Sequence, residues 1–355
     1  MRLPLFQPRS IASNDVSPAL DERGRLSLPY PSGWFGLAFS DELAPGELRR
    51  VQFAGREVVV FRTEQGKAAV FEAYCPHLGA HFGHGGCVVG ETLRCPMHAF
   101  RFDVEGQCVA VGVGHTHLPS ARAGALHVRE NCGVILAWHH PGGASPGWEP
   151  PPLADASLID GPSQRRHTVI RSHVQELGEN LFDVGHLVAV HGYEEPDMDR
   201  PPTTDGSAIR VGSRVTVATK FGPFTQRVRV DLKTELHGLG IALFDSSSEP
   251  GGLSFRGAFT WNPMGPAQVD FRLSVWVKTL DSALARLPIF RWLPRRTQND
   301  LMGRLLVSSM MRDIGQDRAV LDHKRHLPRP GYSDGDASIA VYRRWTRQFY
   351  PDSQV

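Results

Sequence analysis

Between residues 33 and 140 the chain is a series of short apolar runs, VVVF, AAVFEAY and GVILAW among them, separated by glycine and proline turns. Runs of this length, rich in β-branched and aromatic residues, predict short strands. The pattern breaks at HHPGGASPGWEPPPLADAS, where dense proline and glycine predict a linker between domains. Beyond it, RRHTVIRSHV predicts a strand, and SHVQELGENLFDVGHLVAVH predicts a helix running into a turn. Long alternating runs follow from about residue 207 to 280: AIRVGSRVTVATKF, QRVRVDLKTEL, LSFRGAFTW and VDFRLSVWVK. Their length and tight spacing predict an antiparallel sheet. A helical stretch over roughly 297–325 closes the pattern, ending ahead of Pro328 and Pro330. The resulting division is an N-terminal extension over 1–30, a β-domain over 31–142, a linker over 143–160 and an α+β domain over 161–355.

Composition narrows the class. A chain of 355 residues suits two ordinary domains, and 41% hydrophobic with 21% charged residues describes a globular protein. A net charge of +2 gives no electrostatic case for nucleic acid. No apolar run reaches the length of a transmembrane segment. The start, MRLPLFQPRSIASNDVS, has no signal-peptide core. The five cysteines all fall within residues 75–132, so metal binding in a reducing, cytoplasmic setting is expected rather than a disulfide framework.

The chemistry concentrates in two places. The first is CPHLGAHFGHGGCVVGETLRCPMH, with Cys75 and His77 one residue apart, Cys95 and His98 two apart, and seventeen residues between the halves. Each half offers one thiolate and one imidazole from a tight turn. Two thiolates suit an iron that stays ferric, and two neutral imidazoles raise the potential of its partner. Pro76 and Pro96 stiffen the loops, and Gly79, Gly83, Gly85 and Gly86 allow close backbone approach. A structural zinc site is the competing reading, for which C-x-H is poor spacing. Cys87, Cys108 and Cys132 carry no assigned role, and His81 and His84 read as surface or supporting residues.

The second place is ENLFDVGHLVAVH. Asn180, Asp183 and His186 stand three apart, so one helical face would present all three, and His191 requires the helix to open into a turn. Two imidazoles and a distant carboxylate would form a facial triad with positions open for O₂. Taken alone, such a histidine pair also suits core or surface residues. MMRDIGQDRAVLDHK offers Asp313, Asp317 and Asp322 as the carboxylate, and spacing does not choose among them.

C-x-H-x17-C-x2-H followed by AFRFD resembles the Rieske [2Fe–2S] domain. N-x-x-D-x-x-H-x4-H resembles the mononuclear iron motif of Rieske oxygenases. QDRAVLDHKRHLPRP and VYRRWTRQFY are similar to the C-terminal segment of 3-ketosteroid 9α-hydroxylase oxygenases and Neverland-type cholesterol 7-desaturases. Ala80 and Met97 stand where respiratory Rieske proteins carry a second cysteine pair, so the resemblance is to the oxygenase-type cluster. It implies an α+β chain: an N-terminal Rieske β-domain and a C-terminal helix-grip domain, an antiparallel sheet wrapped on a long helix.

The resemblance also implies site roles. Cys75, His77, Cys95 and His98 would hold the cluster. His186, His191 and Asp317 would hold a mononuclear Fe(II). Asp183, with Asn180 nearby, would lie mid-helix between the two centres and hydrogen-bond a ligand histidine of each. A homotrimer would pass electrons from one subunit to the next. The chain has no GxGxxG fingerprint and no plant-type ferredoxin motif, so a separate NAD(P)H-dependent reductase, alone or with a ferredoxin, would supply electrons. The implied function is a terminal oxygenase that uses O₂ to hydroxylate, desaturate or dealkylate a bulky lipophilic, steroid-like substrate. The alternatives are a Rieske electron carrier and a non-catalytic ligand-binding relative. Phe244, Phe255, Phe259, Trp261 and Phe271 read as core, and the apolar stretch 282–296 as an entrance lid or a helix buried at a subunit interface.

Overall fold

The short apolar runs of the N-terminal part become strands in three small antiparallel sheets. The structure, a computed structural model, describes residues 28–117, 119–155, 158, 164–198, 201–221, 224–249, 252–280 and 292–351. Gly33–Phe39 (β1) is the edge of one sheet. Leu48–Phe53 (β2), Arg56–Arg62 (β3) and Ala68–Glu72 (β4) form the second. Cys87–Val89 (β5), Thr92–Arg94 (β6), Arg101–Asp103 (β7) and Cys108–Ala110 (β8) form the third. Val128–Asn131 (β9) and Val134–His139 (β10) complete the first, in the order β1-β10-β9. Strands of three residues cannot stand alone. The third sheet is held by packing Leu93, Phe100 and Phe102 against Phe61, Phe71 and Phe82 in one buried cluster.

The long alternating runs form an eight-stranded antiparallel sheet. Its strands are Gln164–Ile170 (β11), Glu194–Met198 (β12), Thr203–Asp205 (β13), Ala208–Phe221 (β14), Phe224–His237 (β15), Ile241–Glu249 (β16), Leu253–Gly265 (β17) and Gln268–Leu280 (β18). The order is β11-β18-β17-β16-β15-β14-β12, with β13 also on β14. The alternation predicts β14, β15, β17 and β18 but not β16. After Ile241–Phe244, that segment continues Asp-Ser-Ser-Ser, which has turn composition. Neighbours on both sides make it a strand: Arg229–His237 pair with one edge and Ser254–Thr260 with the other.

The expected helix over 172–191 divides. Val174–Asn180 (α1) ends before Leu181, and Val184–Ala189 (α2) begins after Asp183. Asp183 is therefore not mid-helix. It is the N-cap of α2 (φ −102°, ψ 96°), and its Oδ1 accepts a hydrogen bond from the His186 backbone N–H at 3.2 Å. A short carboxylate side chain competes with the helical backbone bond and starts a new helix instead. Phe182, buried and stacked on Tyr342 at 4.9 Å, pins the break.

The long helix Arg295–Leu321 (α3) packs on β11 and β18 and buries Met302, Val307, Ile314 and Leu321. It stops short of the expected end. Asp322, its C-cap, is not the solvated charge expected: its carboxylate accepts from the Arg171 backbone N–H at 2.8 Å and pairs with Arg318 at 3.1 Å. Ala337–Thr346 (α4) follows. Between α1 and these last elements lies a buried ion network. Glu176 meets Lys324 and His326, each at 2.7 Å, and Glu179 is held by Lys324 and Arg343. Burial alone would raise the Glu176 carboxyl, but His326 and Lys324 hold it down at about 2. The network ties the approach to α2 to the end of α3.

The linker has no helix or strand over residues 140–155 but is packed. Trp34 Nε1 donates to the Trp148 carbonyl at 2.8 Å, and Leu153 and Ala154 are buried with Trp34, Trp138 and Trp276. This seam joins the two domains through a common apolar cluster. Most of the N-terminal extension (1–27) and residues 282–291 of the apolar stretch lie outside the described residues. Among the described residues no helix is long and apolar enough to cross a membrane.

Candidate metal centres

The first centre is built from two loops with the same internal bonding. In one, Cys75 N donates to Ala80 O at 2.8 Å and Gly79 N to Cys75 O at 2.9 Å. In the other, Cys95 N donates to Phe100 O at 2.8 Å and Ala99 N to Cys95 O at 3.1 Å. Gly86 permits the approach: a Cβ there would lie 2.2 Å from the Phe82 carbonyl. Both Cys75 and Cys95 are buried, and burial, with Cys95 adding to it, pushes the Cys75 thiol up to about 12. The His77 and His98 rings meet edge to face with their centroids 4.9 Å apart. His98 Nδ1 is buried without a hydrogen-bond partner. An orphaned imidazole nitrogen beside two buried thiols is expensive unless something ligates them, and an iron–sulfur cluster would satisfy all of these groups.

The remaining residues of this region are engaged otherwise. His81 Nε2 lies 3.2 Å from Glu57 Oε2, and His84 Nε2 2.9 Å from Arg50 Nη1. Cys108 is buried, while Cys87 and Cys132 are half-buried. His115 was not anticipated. Its ring lies 4.9 Å from His77 and 5.2 Å from His98, and ring nitrogens of the three fall within 4.8 Å of one another. The loop that carries it crosses close to His98, and a Cβ at Gly112 would lie 2.4 Å from the His98 carbonyl. A Gly-Val-Gly-His stretch beyond the motif was the available signal.

The second centre lies between α2 and α3. His186 is on α2. Just past the helix, Gly192 adopts φ +68°, in the left-handed region that favours glycine, and the chain turns His191 back to within 5.3 Å of the His186 ring. Asp317 enters from α3. Its Oδ1 lies 3.2 Å from His191 Nε2 and 4.0 Å from His186 Nε2. Ligand atoms about 2.1 Å from one ion and at right angles lie ~3 Å apart, so this set could hold a single metal. The other nitrogens have partners: His186 Nδ1 meets the Asp183 carbonyl, and His191 Nδ1 lies 2.8 Å from Gln316 Oε1.

A cavity of about 180 Å³ opens at these three side chains, with Asn180, Asp183, Phe259, Trp261 and Phe271 also in its wall. A second cavity of about 440 Å³ adjoins it, lined by Val215, Val230, Phe244, Phe255 and Leu306. The strand aromatics are thus cavity walls as well as core. Tyr193 and Asp313 border both spaces. Asp313, expected as a solvated charge, instead accepts a hydrogen bond from Tyr193 Oη at 2.9 Å, and burial raises its carboxyl.

Residues 33–120 match the Rieske [2Fe–2S] domain, and residues 137–350 match the 3-ketosteroid 9α-hydroxylase C-terminal domain. The chain belongs to the Rieske oxygenases. It is accordingly an oxidoreductase whose N-terminal domain takes a Rieske [2Fe–2S] cluster. This oxygenase is 37% identical to the cholesterol 7-desaturase of Hemicentrotus pulcherrimus over 344 residues, covering 93% of this chain and 72% of that one. It is 25% identical to the probable 3-ketosteroid-9-alpha-monooxygenase, oxygenase component, of Rhodococcus rhodochrous, over 91% of this chain and 80% of that one. In fold it is similar to the crystal structure of dicamba monooxygenase bound to 3,6-dichlorosalicylic acid. The TM-score is 0.70 at 18% identity, over 89% of this chain and 96% of that chain. The expected α+β architecture, a Rieske β-domain followed by an antiparallel sheet with a long helix, is the one observed.

Proposed function

We propose that this chain is a terminal oxygenase that hydroxylates, desaturates or dealkylates a bulky lipophilic, steroid-like molecule. The observation that carries the reading is the meeting of His186, His191 and Asp317 in the wall of a largely apolar cavity that adjoins a second, larger one. An electron carrier needs neither the second donor set nor the cavities. Cys75, His77, Cys95 and His98 hold the cluster, and His186, His191 and Asp317 hold Fe(II). An iron held there would supply the O₂ chemistry for oxidising a C–H bond.

The chain's own residues prepare that chemistry. A carbonyl oxygen can only accept, so the Asp183 carbonyl keeps the proton on His186 Nδ1 and leaves Nε2 free. The Asp183 carboxylate caps the helix that carries His186, and Asn180 stands beside it in the cavity wall. Asp317 brings the one negative charge of the set. Phe259, Trp261 and Phe271 line the cavity with apolar aromatic surface against which a ring system would pack. The cholesterol and ketosteroid names of the relatives favour a fused-ring substrate.

The division into domains at 31–142 and 161–355 belongs to this reading. So do a cytoplasmic location, supported by five cysteines none of which is in a disulfide, and a separate reductase, alone or with a ferredoxin. A homotrimer is supported by apolar side chains exposed around the cluster loops: Leu78 at 67%, Met97 at 60% and Val113 at 77%. A neighbouring subunit would cover them.

Two measurements test the proposal. The loaded chain should contain about three iron and two acid-labile sulfides, against two and two for a carrier. With a surrogate reductase and a panel of steroids and polycyclic compounds, O₂ uptake should accompany an oxidised product. Two iron per chain and no product from the panel would return the chain to the electron carriers. Cys75→Ser should abolish the visible cluster spectrum, whereas Cys87→Ser, Cys108→Ser and Cys132→Ser should each keep it. A Rieske-type EPR signal from Cys75→Ser would contradict the ligand assignment.

A further inference from the structure

Gln316 precedes Asp317 on α3 and is not among the proposed ligands. Its Oε1 lies 2.8 Å from His191 Nδ1, while Asp317 Oδ1 lies 3.2 Å from His191 Nε2 on the other side of the ring. Two consecutive residues of one helix therefore address both nitrogens of one imidazole. A turn earlier, Asp313 accepts from Tyr193 Oη at 2.9 Å, and the Tyr193 ring lies 5.5 Å from the His191 ring. We infer that Gln316 is the positioning residue for His191: its amide oxygen holds the Nδ1 proton and so presents the Nε2 lone pair to the metal. The inference rests on the metal assignment proposed above.

The two histidines differ in what orients them. His186 is fixed within its own helix, through the Asp183 carbonyl. His191 lies past the end of α2, and the hydrogen bond recorded for its Nδ1 goes to a side chain on another element. An imidazole without such a partner can place its proton on either nitrogen and rotate, and each alternative removes Nε2 from the donor set. A carbonyl-type acceptor opposite Nδ1 disfavours both. A neutral amide does this while leaving Asp317 as the only anionic donor of the three. Gln316 is itself exposed, whereas the His191 side chain is only 4% accessible. Truncating Gln316 should therefore open no core cavity, and a change in metal binding can be separated from a folding defect.

The test uses Co(II), titrated into chain that retains its cluster but has lost the mononuclear metal. Gln316→Leu should weaken Co(II) binding about tenfold to a hundredfold, the range for loss of a partner that orients a ligand. Its Rieske absorbance and metal-free melting temperature should match the parent. Gln316→Glu keeps an acceptor at the same reach and should bind within about threefold of the parent. Gln316→Asn keeps the amide but shortens it, and should behave like the leucine variant. Parent-like affinity in Gln316→Leu would overturn the inference, as would a Gln316→Glu protein as weak as the leucine variant. His191→Ala separates this from failure of the metal assignment. If it retains Co(II) at parental affinity, the assignment itself is wrong. If it loses Co(II) while Gln316→Leu does not, only the positioning role fails.

Discussion

His191→Ala should lose the mononuclear iron and reduce turnover at least about a hundredfold, more than loss of a merely supporting contact costs, while leaving the cluster spectrum intact. His191 Nε2 and Asp317 Oδ1 are 3.2 Å apart, against 4.0 Å for His186 Nε2 and Asp317 Oδ1, so the variant removes the shorter of the two edges that meet at Asp317. Nothing in the apolar cluster around Phe61, Phe71 and Phe82 touches this change, because the cluster loops pack in the other domain. Iron analysis should read about two iron per chain instead of three. Full iron and full turnover in His191→Ala would end the triad assignment. The aspartates give an internal comparison. Asp317→Asn should resemble His191→Ala. Asp322→Asn should keep its iron, losing only about 1 kcal/mol through a weakened bond to Arg171 N.

The parts of this molecule that were legible in the sequence are those set by local spacing. C-x-H and C-x2-H specify loops whose bonding closes within a few residues, so Cys75, His77, Cys95 and His98 could be named before any fold was known. The strands β14, β15, β17 and β18 alternate strongly enough to declare themselves. What was not legible depends on partners far away in sequence. β16 carries three consecutive serines and becomes a strand because β15 and β17 pair with it. Asp313 looked like a solvated charge until β12 and its approach brought Tyr193 to it, 120 residues earlier in the chain. The break at Asp183 combines a local capping preference with the stacking of Phe182 on Tyr342, which no window around residue 183 contains. His115 and Gln316 belong to the same class, since each is placed by a crossing of segments and not by a motif.

Two inactive variants should restore activity to each other. A Cys75→Ser subunit lacks the cluster but can keep iron, and a His186→Ala subunit lacks iron but can keep the cluster. Each variant assembled alone, as the proposed homotrimer, should be inactive. If electrons pass from the cluster of one subunit to the iron of the next, random assembly of equal amounts makes about one interface in four productive. Mixed trimers should then recover about a quarter of parental turnover per chain, whereas a route confined within one subunit predicts none. The structure supplies a reason to expect the crossing. Leu78, Met97 and Val113 present apolar surface around the cluster loops, and Val188, also exposed, lies on α2 between the two histidines. Apolar surface at both ends of the proposed electron path suits a head-to-tail interface that buries each end against the other. Asp183 caps the start of the helix that carries Val188, so Asp183→Asn should slow transfer without removing either metal. Mixed assemblies verified as trimers that remain inactive would confine the electron path to a single subunit and leave Asp183 with its capping role alone.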